Sequence, residues 1–474
     1  MQIHYEFNER DLGHGASATI LHPVVLVAMI VAIVWMLWRP RKQAIVPLFL
    51  CIFLFPRGQV IYVGGVHLYV SLILLLAGFI LVIRSKFNFV GGLNIVDKVF
   101  LFWAAYRCSC ITVTRWPDAT MEQLSFLLQA YCGYFLLRYL IRSEKDMIRM
   151  ANTLAIIALV LGVSMVYEGS HLVNLFGTYL GGAPVTPEIR NGIGRAQAVF
   201  GHSILAGCFG ATLVPFFIWL WTTKGKNRIF AAVGLLGSAL IVYTTNSSTP
   251  VLALVAGVLG LCLWPIRRHM RVVRWGLVVG LTGLAIVMKA PVWYVIAHIN
   301  VIGGSGGYDR AFLIDTCMRH IKEWWLIGTN QYAGWGYDMW DLSDQFVAEA
   351  ETGGIITLAC FIAIISLCYS RIGKLRKRVE SKEQWLLWCL GSIMLAHIFA
   401  YFGVSYWDQN QIWWFAFLAM ISAATVPLSQ PAGATVPAAA EVSPKPLKPK
   451  NPWGIGSTVQ AREKSRQKHW ILGR

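Results

Sequence analysis

An all-α, polytopic integral membrane bundle of about 12 to 14 transmembrane helices is the fold class this sequence predicts, with one large extracytoplasmic loop between late spans. Three observations predict it. Of the 474 residues, 56% are hydrophobic and only 14% charged, with a mean hydropathy of +0.57. The apolar residues gather into runs mostly about 17 to 25 residues long, the length that crosses ~30 Å of hydrocarbon. Between the runs, Lys and Arg cluster in every second turn, as orientation in a bilayer requires. A closed β-barrel would instead alternate apolar and polar residues over short segments, which these continuous runs do not.

Thirteen runs follow in order: 20–38, 44–56, 67–83, 95–113, 120–141, 149–167, 198–221, 229–245, 249–265, 275–297, 350–370, 384–403 and 411–427. The first ends in Arg39-Pro-Arg-Lys42 without a small-residue cleavage site, so it reads as a span, not a signal peptide. The second is short and stops at Pro56-Arg57-Gly58. Cytoplasmic turns are assigned to the cations of 39–42, 84–86, 138–149, 224–228, 267–274 and 371–382. That assignment places segment 1–19 and the loop 299–349 outside, the membrane domain over 20–427, and the C-terminus inside. Segment 428–474, rich in Ala, Pro and Lys, buries too little apolar area to fold alone and reads as a disordered basic cytoplasmic tail able to touch anionic lipid.

The net charge of +18 is therefore a topology signal, and nucleic acid is not an expected partner. Most of the ten Cys lie in apolar runs, as small hydrophobes. Cys108-Ser-Cys110 lacks a second pair at ligand spacing, and neither a phosphate loop nor a dinucleotide fingerprint occurs, so no metal and no cofactor are expected.

Eleven cations fall outside the cytoplasmic turns and the tail: Arg10, Arg57, Lys98, Arg107, Arg115, Arg190, Arg195, Lys289, Arg310, Arg319 and Lys322. Orientation selects against cations on the outer side, so retained arginines there point to an anionic ligand. A guanidinium matches phosphate bidentately, which makes a lipid-linked diphosphate a natural ligand. Single outer arginines also snorkel to headgroups or pair with Asp. Arg195 opens RAQAVFGHSILAG just before a span, with His202 seven residues on; alone, a His at a helix start is a packing residue more often than a catalytic one. Arg310 opens RAFLIDTCMRHIKEWW, whose apolar residues recur at helical spacing. Asp344, Glu349 and Glu351 precede the next span, where Asp344 can also serve as a helix cap, while Asp338 and Asp341 stay solvated in the loop.

These blocks resemble the O-antigen ligase/polymerase superfamily. The resemblance rests on Arg310, then Trp325-Leu-Ile-Gly328, Asp344-Gln-Phe346 and Glu351-Thr-Gly353-Gly354-Ile-Ile356, with an upstream block Arg195-Ala-Gln-Ala-Val-Phe-Gly-His202. It covers roughly residues 190–370. It implies an inverting, metal-independent glycosyltransferase of the bacterial inner membrane. Such an enzyme moves glycan from a polyprenyl-diphosphate carrier to an acceptor hydroxyl on the outer side, among membrane lipids and other polysaccharide-assembly proteins. Arg195, Arg310, Arg190 and Arg319 would bind the diphosphate, and Asp344, Glu351 and His202 would form the catalytic set. The His-Asn pair that many ligases of the superfamily carry is replaced here by Leu342-Ser343, so either the general base is Asp344, Glu351, His202 or His320, with Asp344 preferred, or the chain is a polymerase-like or divergent member. Two other classes stay open: a transporter or flippase for lipid-linked glycan, and a glycan-binding assembly partner without catalysis.

Overall fold

The computed structural model describes residues 19–63, 66–117, 119–190, 192–298, 306–336 and 342–429. The expected outer segment 1–19, apart from Thr19, lies outside the described residues, as do the tail beyond Ser429, Asp338 and Asp341. Among the described residues the chain is built almost entirely of α-helices: α1 (Pro23–Trp38), α2 (Arg41–Leu54), α3 (Val70–Arg84), α4 (Ile95–Thr114), α5 (Thr120–Leu140), α6 (Glu144–His171), α7 (Leu175–Leu180) and α8 (Ser203–Thr222). Then come α9 (Asn227–Thr244), α10 (Ser248–Cys262), α11 (Met270–Val287), α12 (Gly306–Arg319), α13 (Ile321–Trp324), α14 (Gln345–Arg376), α15 (Ser381–Tyr401) and α16 (Gln409–Ala424).

A helix occupies each of the thirteen apolar runs. Among the described residues six helical segments are long and apolar enough to cross a membrane: Glu144–His171, Ser203–Thr222, Asn227–Thr244, Arg267–Val287, Gln345–Arg376 and Ser381–Tyr401. Pro23–Trp38, Val70–Arg84 and Ser248–Cys262 are shorter apolar helices. This is a membrane-embedded helical protein. The run at 275–297 differs from expectation, because helix α11 stops at Val287 and a 3-10 segment, Val292–His298, follows. Pro291 lacks the amide proton that would extend the helix.

Among the described residues two antiparallel hairpins, which an all-α reading does not foresee, fill turns between helices. One pairs β1 (Val60–Val63) with β2 (Val66–Tyr69), the other β3 (Glu188–Arg190) with β4 (Ile193–Arg195), Glu188 lying opposite Arg195.

Helices α8 and α16 are apolar all round and buried along most of their length, so they form the centre of the bundle. Around them α6 packs on α9, α10 on α15 and α4 on α14. A Cβ on Gly162 of α6 would stand 2.8 Å from the Gly237 carbonyl of α9, so the two helices meet backbone to backbone. By contrast α11 has no buried residue and packs chiefly on the 3-10 turns that flank it.

Among the described residues one ion pair lies wholly inside. Asp97, 0% exposed, faces Arg138, 1% exposed, with Nε 3.0 Å from Oδ1. Arg138 Nη2 donates to Asp97 Oδ2 and to the Gly92 carbonyl, and Tyr134 donates its hydroxyl to Oδ1. Asp97 Oδ2 also accepts from the Asn94 amide, while Asn94 Oδ1 accepts from the amides of Val96 and Asp97, closing a capping box on α4. Removing one partner of such a pair strands the other charge and costs about 3–5 kcal/mol. Arg138→Met should therefore lower thermal stability in detergent far more than the double change Asp97→Leu/Arg138→Met. Equal losses in fluorescence-detected melts would show that the charges are not interdependent.

Candidate functional site

The chain from α12 to α14 is joined to the membrane helices at a break in α14. Gly353 and Gly354 leave helical geometry there, Gly354 with φ +69°, a conformation glycine adopts without strain. The amides and carbonyls freed by the break are taken up by the turn Trp325–Gly328 and its neighbour: Ile355 N donates to Trp325 O at 3.0 Å, and Thr329 N to Glu351 O at 2.8 Å. A Cβ on Gly354 would sit 2.6 Å from the Leu326 carbonyl oxygen. The Trp-Leu-Ile-Gly and Glu-Thr-Gly-Gly segments are thus two halves of one joint. Tyr106 of α4 donates its hydroxyl to Leu326 O, pinning the same turn from the other side.

Asp344 is the N-cap of α14. Its Oδ1 accepts from the amides of Phe346, at 2.8 Å, and Val347, at 3.1 Å. The cap reading of this residue therefore holds, and it uses only one oxygen. Oδ2 is buried without a hydrogen-bond partner among the described residues, and the whole residue is 0% exposed. Burial pushes its carboxyl up to about 7, against the opposing pull of the Val347 and Phe346 amides and of the Arg310 cation. Seven residues on, Glu351 is buried with both carboxylate oxygens unpartnered among the described residues; Arg115 and Asp344 are the charges acting on it.

Arg310 reaches this region from α12. Its Nη1 donates to Gly306 O at 2.8 Å and its Nη2 to Gly403 O at 3.3 Å, while Nε is buried and unpartnered. Its charge acts on both Asp344 and His202, and Arg190 acts on it in turn. Arg195, on β4, is 3% exposed; its Nη1 meets Glu188 Oε2 at 2.7 Å and its Nη2 has no partner among the described residues. The segment after Arg195 is braced from below, where Glu168 of α6 accepts from the amides of Gln197 and Ala198.

His202 caps α8, accepting the Ile204 amide on Nδ1 at 3.1 Å, with Nε2 3.7 Å from Glu188. Burial and the Arg195 charge hold its imidazole well below the usual histidine range. It is a neutral capping group at neutral pH, with Nε2 turned to the Arg195–Glu188 pair.

The structure thus gathers Arg190, Arg195, His202, Arg310 and Asp344 into one electrostatic neighbourhood, with Glu351 within reach of the Asp344 charge. It does not bring in Arg319, whose side chain is 75% exposed and bonds Asp315 one turn back at 2.8 Å. His320 stacks on Trp335 at 4.7 Å between ring centres and hydrogen-bonds to the Thr316 carbonyl. Sequence reasoning passed over Glu188, the counter-charge to Arg195; its signal was its place seven residues before Arg195 across a Gly-containing turn. Glu349, buried, accepts from Trp103 Nε1 and Gln345 Nε2, each at 2.8 Å, which makes it a tie between α4 and α14. Arg57 pairs with Asp408 at 2.7 Å under the Trp407 ring, which gives that cation a structural role. Among the described residues no three His, Cys, Asp or Glu side chains converge as a metal ion would need.

The raised Asp344 carboxyl has a thermodynamic signature. Its folded pKa, about 7, lies above the ordinary 3.8, so the folded state holds the extra proton between those values. The contribution of Asp344 is then most favourable below about pH 4, is lost as pH rises to about 7, and is level beyond. Asp344→Asn keeps the capping oxygen and removes the titration. Across pH 4–7 wild type should lose stability relative to this variant, by up to about 1.4 kcal/mol per pH unit. Parallel melting curves over that window would contradict the assignment.

Compared with protein-family models and with curated proteins, the chain matches none, so what this site does is argued from its own residues.

Proposed function

We propose that this chain is a cell-envelope polysaccharide polymerase or ligase, an inverting glycosyltransferase that moves glycan from a polyprenyl-diphosphate carrier to an acceptor hydroxyl at the outer side of the inner membrane. The observation that carries the reading is the pairing of a buried, half-unused carboxylate with unpaired guanidinium edges. Asp344 Oδ2, Arg310 Nε and Arg195 Nη2 are all buried polar atoms without a partner among the described residues. Groups left this way are costly unless a ligand or proton transfer uses them.

In this reading Arg195, Arg310 and Arg190 hold the diphosphate, and Asp344 Oδ2 faces the acceptor. The acceptor oxygen attacks the anomeric carbon from the face opposite the diphosphate, and its proton passes to Asp344 Oδ2. The bond from the anomeric carbon to the diphosphate oxygen breaks, and the electron pair leaves with the diphosphate into the arginine cluster. Fixed cations aimed at the departing charge lower the barrier because they need no reorganisation. A carboxylate with a pKa near 7 is a better base than an ordinary Asp, since basicity rises with pKa while the charged form is still populated at neutral pH. Glu351, seven residues after Asp344, orients the acceptor, and neutral His202 keeps Glu188 and Arg195 in register.

The test is made in cells deleted for the gene and complemented at matched expression, with envelope glycans separated by size. Arg310→Ala and Asp344→Ala should each reduce long-chain product at least about a hundredfold, the scale for losing a base or a charge-stabilising group. Arg319→Ala should restore it. Accumulated single lipid-linked repeats would identify a polymerase, and long lipid-linked chains a ligase. Full rescue by Arg310→Ala and Asp344→Ala would instead support a non-catalytic assembly partner. With purified protein, turnover should fall as pH drops through about 7, because protonated Asp344 cannot accept the hydroxyl proton. A flat profile down to pH 5 would remove Asp344 from the role of base.

A further inference from the structure

On the flank of the bundle, α4 and α14 enclose a groove of about 520 Å³, lined by Lys98, Val99 and Phe102 on one side and Ile356, Ala359 and Ala363 on the other. Its floor is shallow in side chain because Ala359 and Ala363 stand one turn apart on the same face. The two helices run antiparallel: Trp103 bonds Glu349 near the start of α14, while the charge of Asp97 acts on Arg371 near its end. Lys98 therefore lies at the Arg371 end of the groove, and Ile355 at the other end adjoins the Gly353–Gly354 break. The eight helical steps from Ile355 to Ala363 span about 12 Å.

Lys98 is exposed and forms no ion pair among the described residues. Its neighbour Asp97 is turned inward to Arg138, so it does not neutralise the lysine. The groove thus offers an apolar channel with one free cation at a single end. We propose that it binds one anionic phospholipid, with the phosphate against Lys98 and an acyl chain lying along Phe102, Ala359 and Ile356.

The position of the charge chooses the occupant. A polyprenyl-diphosphate held by Arg310 would carry its anion at the Asp344 end of α14 and present only hydrocarbon to Lys98. A zwitterionic lipid has no net charge to pair. An anionic lipid satisfies both ends, with the ammonium at headgroup depth and the chain against alanines. The bound chain would brace α14 directly beyond its break. This proposal does not depend on the glycan-transfer reading.

The full chain, reconstituted in nanodiscs of equal phosphatidylglycerol and phosphatidylcholine, is transferred to mild detergent and its retained lipid counted by native mass spectrometry. Wild type should keep one phosphatidylglycerol in preference to phosphatidylcholine by about fivefold, the scale of one cation at a lipid surface. Lys98→Arg should keep that preference, Lys98→Glu should abolish it, and Ala359→Trp should lower retention of both lipids. Lys98→Gln gives the same reading as Lys98→Glu should the reversed charge prevent folding. Equal retention of the two lipids by wild type, or an undiminished preference without Lys98, would overturn the proposal.

Discussion

Inside a bilayer there is no water to satisfy a backbone group, so a helix that breaks must find its partners within the protein. That constraint organises this molecule. Helix α14 breaks at Gly353–Gly354, and the hydrogen bonds it gives up there are remade with the turn around Trp325–Gly328 and with Thr329. The loop region is tied to the membrane helices by backbone bonds, which tolerate side-chain change better than a salt bridge would. Because Asp344 and Glu351 lie on the short helical piece before the break, and α12 leads into the same turn, the joint decides how carboxylates and Arg310 face one another.

The electrostatics of the site follow from that frame. Three arginines converge from two separate stretches of chain, Arg190 and Arg195 on a hairpin and Arg310 on α12. Such a group repels itself, and the structure offsets part of the repulsion with Glu188, which bonds Arg195 directly. In the proposed reading, a phosphate arriving at Arg195 would compete with the tethered Glu188 carboxylate, which would temper its affinity and ease the departure of the product anion.

Helical segments were readable in the chain because a run of apolar residues of sufficient length has few other folds available, and all thirteen runs are helical. Their ends were less readable: α6 begins at Glu144, ahead of its apolar run, because Ser143 caps a polar first turn, and α11 ends early at the approach to Pro291. The hairpins could not be read, since three- and four-residue strands carry too little pattern to stand out. For the site, Arg195, Arg310 and Asp344 were picked out by cations or carboxylates standing where membrane topology disfavours them. The roles of Glu188, Glu349 and Arg319 were not legible. Trp103 and Glu349 are 246 residues apart in the chain, and only the packing of α4 on α14 brings them together. Arg319 was expected beside Arg310 among the diphosphate-binding arginines, but it lies on a different face of α12 and spends its charge on Asp315.

Beyond Met270 at its start, which packs against the main core, helix α11 buries no side chain in the bundle. What keeps it in place is hydropathy and the turns at its two ends, not complementary shape. Evolution is then free to rewrite almost every residue from Arg271 to Val287, provided the apolar character persists. Related chains would diverge fastest along this stretch, and it is the natural place to graft a reporter helix or splice in a foreign span without disturbing the chemistry beyond it.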